Sequence, residues 1–68
     1  EQYEQSICAM ERVLELDPNH AQAWYYQGLA FYYLFCRSLS VVSLERAVQC
    51  DPLLTEAMEL LRVLREEQ

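Results

Sequence analysis

Glycine occurs once and proline twice in 68 residues, and lysine does not occur at all. An all-β fold needs turn residues every few positions, and this scarcity argues against one. The five basic residues are all arginine and lie scattered, against eleven acidic residues, for a net charge of −6. Nucleic-acid affinity comes mainly from clustered Lys and Arg, so the charge balance argues against a phosphate-binding role. Cysteine is sparse and odd in number. Cys8, Cys36 and Cys50 include no pair close enough for a zinc knuckle or a redox motif. They read as reduced thiols, which places the expected location inside the cell, cytoplasmic or nuclear. No targeting segment is visible. The longest uncharged run, Pro18 to Cys36, which includes His20 to Cys36, falls short of the roughly 18 apolar residues of a membrane helix. Gln22, Gln27 and four tyrosines interrupt it. The chain begins with Glu rather than Met and is expected to be a piece of a longer protein.

What is there reads as globular: 53% of the residues are hydrophobic and 24% charged. Ordering so short a chain costs roughly 1.5 kcal/mol per residue, and burial barely offsets that. Such a chain needs a partner or more sequence around it. Pro18 and Pro52 lie 34 residues apart, each preceded by Asp. At the same offset Glu11 matches Glu45, Arg12 matches Arg46, Leu14 faces Val48, and Ala23 matches Ala57. A period of this length is the mark of stacked supersecondary units.

The apolar spacing predicts an all-α chain of about four helices, at 2–16, 21–35, 38–50 and 55–67. Tyr3, Ile7, Met10, Val13 and Leu14 form the first stripe, and Leu39, Val42, Leu44, Ala47 and Val48 a later one. Proline ends the helices before it, and Thr55 is the expected N-cap of the last. No strong breaker lies between Gly28 and Pro52. A turn is placed near 35–38 with Ser38 or Ser40 as N-cap. The competing reading is one helix from about 21 to 50, roughly 45 Å long, which would favour domain swapping.

Together the period and the residues Trp24, Gly28, Phe31, Ala47 and Pro52 resemble the tetratricopeptide repeat. Gln27 stands where that family usually has Leu, Ser40 where a small Ala is usual, and Leu44 at the large position that follows. Phe35 occupies the place of the usual turn glycine, and Arg37 that of the aromatic that opens the second helix. The resemblance implies an α-solenoid of antiparallel hairpins over the whole chain. Residues 1–18 would be the second helix of one repeat, 21–52 a full repeat, and 55–68 a C-terminal capping helix. Trp24, Gly28, Phe31, Ala47 and Pro52 would form the structural core. Arg62 and Arg65 replace Gly28 and Phe31 in the last helix, which therefore packs backward and faces water forward. The first helix exposes more apolar surface than one neighbour covers, so upstream repeats or a second chain are expected there.

Catalysis has little to build on. His20 is the only histidine, and a nucleophile, a base and an orienting group must converge. No enzyme activity, cofactor or metal site is expected. The carboxylates of the last helix lack the glycine-containing loop of a calcium site. The resemblance implies instead a concave partner-binding face lined by Gln22, Tyr25, Leu29, Tyr32 and Tyr33, and then by Glu56, Glu59, Val63, Glu66 and Glu67. An aromatic floor beside an acidic wall would suit a protein or peptide partner with apolar and basic residues, and neither nucleic acid nor membrane. Binding of acidic chaperone tails would need Lys or Arg at these positions and is disfavoured. The alternative function is structural: self-association through the exposed first helix and the 35–38 joint, as a homodimer or domain-swapped dimer.

Overall fold

The computed structural model describes residues 2–66. It consists of four helices: α1 (Tyr3–Leu16), α2 (Ala21–Tyr33), α3 (Arg37–Cys50) and α4 (Thr55–Glu66). Among the described residues there is no strand. Each helix packs mainly on its neighbour in sequence: α1 on α2, α2 on α3 and α3 on α4. The resulting slab measures 32 × 29 × 15 Å.

The 34-residue period is written into the backbone of two turns. Asp17 and Asp51 have nearly the same conformation, φ −142° and ψ 85° against φ −143° and ψ 94°. Each donates its N–H back into the helix it ends, to the Val13 and Ala47 carbonyls. Each carboxylate accepts from the backbone N–H two residues on, at Asn19 and Leu53. Each carbonyl accepts from the N–H three residues on, at His20 and Leu54. An aspartate that bonds its own backbone in this way makes a turn without glycine.

The α2–α3 joint is built differently. The chain folds back at residues 34–36, so the continuous 21–50 helix does not form. Phe35 has φ 61°, the only positive φ among the described non-glycine residues. The Cys36 N–H donates to the Phe31 carbonyl at 2.9 Å and the Phe35 N–H to the Tyr32 carbonyl at 3.1 Å. This pair of bonds, with a left-handed residue between helix and exit, is the Schellman stop. Gly is the usual residue there, because a side chain in that conformation costs about 1–2 kcal/mol.

Several expectations are corrected. α2 ends at Tyr33 rather than 35, because the Schellman stop takes the next residues. α3 begins at Arg37, and α1 at Tyr3. Cys36, not Ser38 or Ser40, holds the N-cap position of α3 and makes no side-chain cap bond. Thr55 is the first residue inside α4, one place beyond where its hydroxyl would cap. Pro52 is exposed at its turn; it stops a helix and adds nothing to the core. Residues 1, 67 and 68, and with them the ends of the 1–18 and 55–68 segments and Glu67, lie outside the described residues.

The core lies between α2, α3 and α4. Leu44, Ala47, Ala57, Leu61 and Leu64 are buried, with Trp24, Tyr25, Tyr32, Val41, Val48, Leu54 and Leu60 packed around them. Complete burial of Leu44 and Leu64 contributes about 1.5–3 kcal/mol each. α1 contributes no buried residue. Gly28 and Ala47 are buried, while Trp24 and Phe31 are half-buried. Trp24 donates its indole N–H to the Pro18 carbonyl at 2.9 Å, and the Arg46 guanidinium lies 5.5 Å from its ring centroid. This side chain thereby ties α2 to the preceding turn and to α3.

Gly28 sets the distance between α2 and α3. A Cβ there would stand 2.8 Å from Leu44 Cγ and 3.3 Å from the Ser40 carbonyl oxygen. The buried Ser40 hydroxyl donates to the Gly28 carbonyl at 2.7 Å. Leu44 is wholly buried and has nowhere to move. Gly28→Ala therefore destabilises the fold by about 1 kcal/mol, the overpacking cost exceeding the gain in helix propensity. Urea unfolding of the two proteins measures this; equal or greater stability for the Ala variant would contradict it.

Candidate functional site

α2 carries four tyrosines, and neighbouring helices cover them unequally. Tyr25 and Tyr32 lean on the core cluster. Tyr26 and Tyr33 are each 49% exposed. α1 runs antiparallel to α2, which brings Tyr3 over Tyr33 in a stack with ring centroids 5.0 Å apart. Tyr33 meets Tyr32 edge-on at 5.5 Å. An aromatic row thus crosses from α1 to α2. Such stacked and edge-on pairs add about 0.5–1.5 kcal/mol each beyond burial.

The row opens onto a hollow of about 640 Å³ lined by Tyr32, Tyr33, Phe35, Arg37 and Leu64. Its walls come from the C-terminal end of α2, the Schellman turn, the first residue of α3 and α4. Phe35 is 94% exposed at this lip. A smaller hollow of about 210 Å³ lies between α1 and α2, lined by Tyr3, Met10, Tyr26, Leu29 and Tyr33 among others. Tyr33 belongs to both.

The expected partner-binding residues divide accordingly. Tyr32 and Tyr33 share the large hollow, and Leu29 and Tyr33 the small one. Tyr25 senses Glu56 across from α4. Gln22, Glu59 and Val63 are exposed but line neither hollow. Glu66 pairs with Arg62 along α4 at 3.7 Å, both side chains well exposed, a contact worth a few tenths of a kcal/mol at most. Tyr3, Tyr26, Phe35 and Leu64 were not anticipated at the site. The sequence signal for Phe35 is a large aromatic in the short stretch where the chain must turn between two helices.

Elsewhere the polar groups have structural work. His20 Nδ1 accepts from the Ala23 N–H at 3.1 Å and caps α2; it is more than a residue of the connecting loop. Cys8, Cys36 and Cys50 are free. Among the described residues no three His, Cys, Asp or Glu side chains converge as a metal site. No described helix is long and apolar enough to cross a membrane. Gln27 is buried, and its Oε1 has no hydrogen-bond partner, a cost of about 1–3 kcal/mol that an apolar side chain would avoid. The chain matches no family model and no curated protein.

Burial, and then the neighbouring Glu56 carboxylate, pushes the Tyr25 hydroxyl above its usual 10.0. Both causes disfavour the phenolate in the folded chain. The unfolded chain therefore loses this proton first as pH rises. The corresponding stability is intact below pH 10.0 and is lost as pH climbs through the folded value. Phenolate absorbance should show one tyrosine ionising above 10.0 in the folded protein, and Tyr25→Phe should remove that component. An unchanged titration curve would contradict the placement of Tyr25.

Proposed function

We propose that the chain is a non-catalytic protein-interaction module of tetratricopeptide type, which holds a peptide or partner segment against the tyrosines of α2 and the neighbouring face of α4. The observation that carries this is the partly exposed aromatic row Tyr3–Tyr33–Tyr32, opening on the hollow beside Leu64. Neighbour-on-neighbour packing and the matched Asp17 and Asp51 turns support the repeat reading. Tyrosine suits recognition because it offers a large, stiff surface and a hydroxyl at little entropic cost. The exposed carboxylates Glu56 and Glu59 on α4 support an acidic margin to the groove. Self-association through this face is the less favoured reading, since two copies would each bring a charge of −6.

Nuclear magnetic resonance with a peptide selected from a random library tests the proposal. Shift changes on binding are expected at Tyr3, Tyr26, Tyr32, Tyr33 and Leu64. Tyr33→Ala, at a residue outside the core cluster, should weaken binding about tenfold or more while the fold persists. Changes confined to the α3–α4 outer side, at Val48, Met58 and Arg62, would refute it.

A further inference from the structure

α1 and α2 enclose a third hollow, of about 410 Å³, lined by Glu11, Leu14, Glu15, Trp24 and Gln27. It shares no lining residue with the two tyrosine hollows. Its size falls within the range of ligand clefts, about 300–1,000 Å³. At the 34-residue offset these five positions become Glu45, Val48, Gln49, Met58 and Leu61. Those residues all line the hollow between α3 and α4. The same packing thus makes the same cleft twice.

The two clefts differ in their charges. The α3–α4 cleft has two further lining residues, Arg62 and Arg65, and the Arg65 guanidinium donates to the Glu45 carboxylate at 3.1 Å. The counterparts of these arginines on α2 are Gly28 and Phe31, which bring no charge. Glu11, the counterpart of Glu45, and Glu15 are both exposed. Neither makes an ion pair with a described residue. Arg46 rests on the Trp24 ring at 5.5 Å, and Arg12 is exposed on α1; neither lines the hollow. The lining therefore holds two carboxylates and no cation.

Gln27 is the second, independent sign of a ligand. It is only 7% exposed, it lines the cleft, and its Oε1 has no hydrogen-bond partner. Its counterpart in the α3–α4 cleft is the apolar Leu61. A buried acceptor without a donor costs stability, and a ligand that brings the donor recovers it. No side-chain hydrogen bond to a described residue fixes the Gln27 amide, so its oxygen is free to turn toward that donor.

We infer that the α1–α2 cleft is a binding site for an arginine side chain of a partner protein, whose guanidinium lies by the Trp24 ring, pairs with Glu11 and Glu15 and donates to Gln27 Oε1. Arginine suits it better than lysine. A guanidinium carries five donors in a planar fork and stacks on aromatic rings, so one group meets the carboxylates and the amide together. The α3–α4 cleft receives its guanidinium from its own helix, and the α1–α2 cleft receives one from outside. A second copy is a poor source, since each copy carries a net charge of −6. The site is independent of the tyrosine groove.

Trp24 is the single tryptophan of the chain, so its fluorescence reports on this cleft directly. The probes are an acetylated, amidated Gly-Arg-Gly peptide and matched peptides with lysine or citrulline in place of arginine. Each is titrated into the 68-residue chain, with Trp24 fluorescence and the magnetic-resonance shifts of the Gln27 side-chain amide as readouts. The arginine peptide should give a saturable change in both that weakens with salt. The lysine peptide should bind about threefold more weakly, and the uncharged citrulline peptide should give no change. Glu11→Gln and Glu15→Gln should each weaken arginine binding about threefold. Gln27→Leu, which copies Leu61, should raise Tm and yet weaken binding about tenfold. Equal responses to arginine and citrulline, no saturable response, or undiminished binding by Gln27→Leu would each overturn the inference. Calcium chloride producing the same shifts would assign the cleft to a metal ion, and a doubled mass that Glu11→Gln reverses would assign it to a second copy; either result also overturns it.

Discussion

The close approach of α2 to α3 at Gly28 is the constraint on which the other packing depends. No side chain separates the helices there, so Leu44 reaches across and is wholly buried. The Ser40 hydroxyl closes the contact onto the Gly28 carbonyl. With α3 held at that distance, its Leu44 and Ala47 meet Ala57, Leu61 and Leu64 of α4, and Tyr25 and Tyr32 can lean on the same cluster. A wider spacing would open voids beneath those side chains, and an interior loses stability steeply when it is not filled. The Schellman turn at Phe35 serves the same geometry by reversing the chain in three residues.

α2 is apolar nearly all round, and a helix of that kind must be buried on several sides or bind something. One side goes to α3 through Gly28 and Trp24. A second goes to the core and α4 through Tyr25 and Tyr32. The third, with Tyr26 and Tyr33, is only partly covered by α1. The tyrosines therefore act both as packing and as surface, and their hydroxyls let one residue type serve each role. Of the arginines, Arg62 and Arg65 are engaged by Glu66 and Glu45 and Arg46 lies over the Trp24 ring, while Arg37 lines the large hollow.

Much of the fold was legible in the sequence because its signals are local. The apolar stripes and the two Asp-Pro turns mark the helices to within two residues at most ends. The Gly28 approach follows from the absence of a side chain in an apolar stripe. The α2–α3 turn was harder to read, because Phe35 takes a backbone conformation that its side chain disfavours and no glycine signals it. The His20 cap was missed because Ser, Thr, Asp and Asn are the usual caps. The site was less legible than the fold. Periodicity places Tyr25, Tyr32 and Tyr33 on neighbouring faces, but only the position of α1 and α4 decides which are covered. Tyr3 joins the row through an antiparallel packing that no local pattern records.

The central claim is that α2 and α3 close on each other within one chain and leave the tyrosine face open. The most direct measurement is an isotope-filtered nuclear Overhauser experiment on a mixture of labelled and unlabelled chains. It reads contacts between the Gly28 Hα protons and the Leu44 methyl groups. The account predicts strong contacts within a single chain in a particle of monomer mass. Contacts seen only between differently labelled chains, in a particle of twice that mass, would mean that the two helices join into one and exchange partners, which contradicts it.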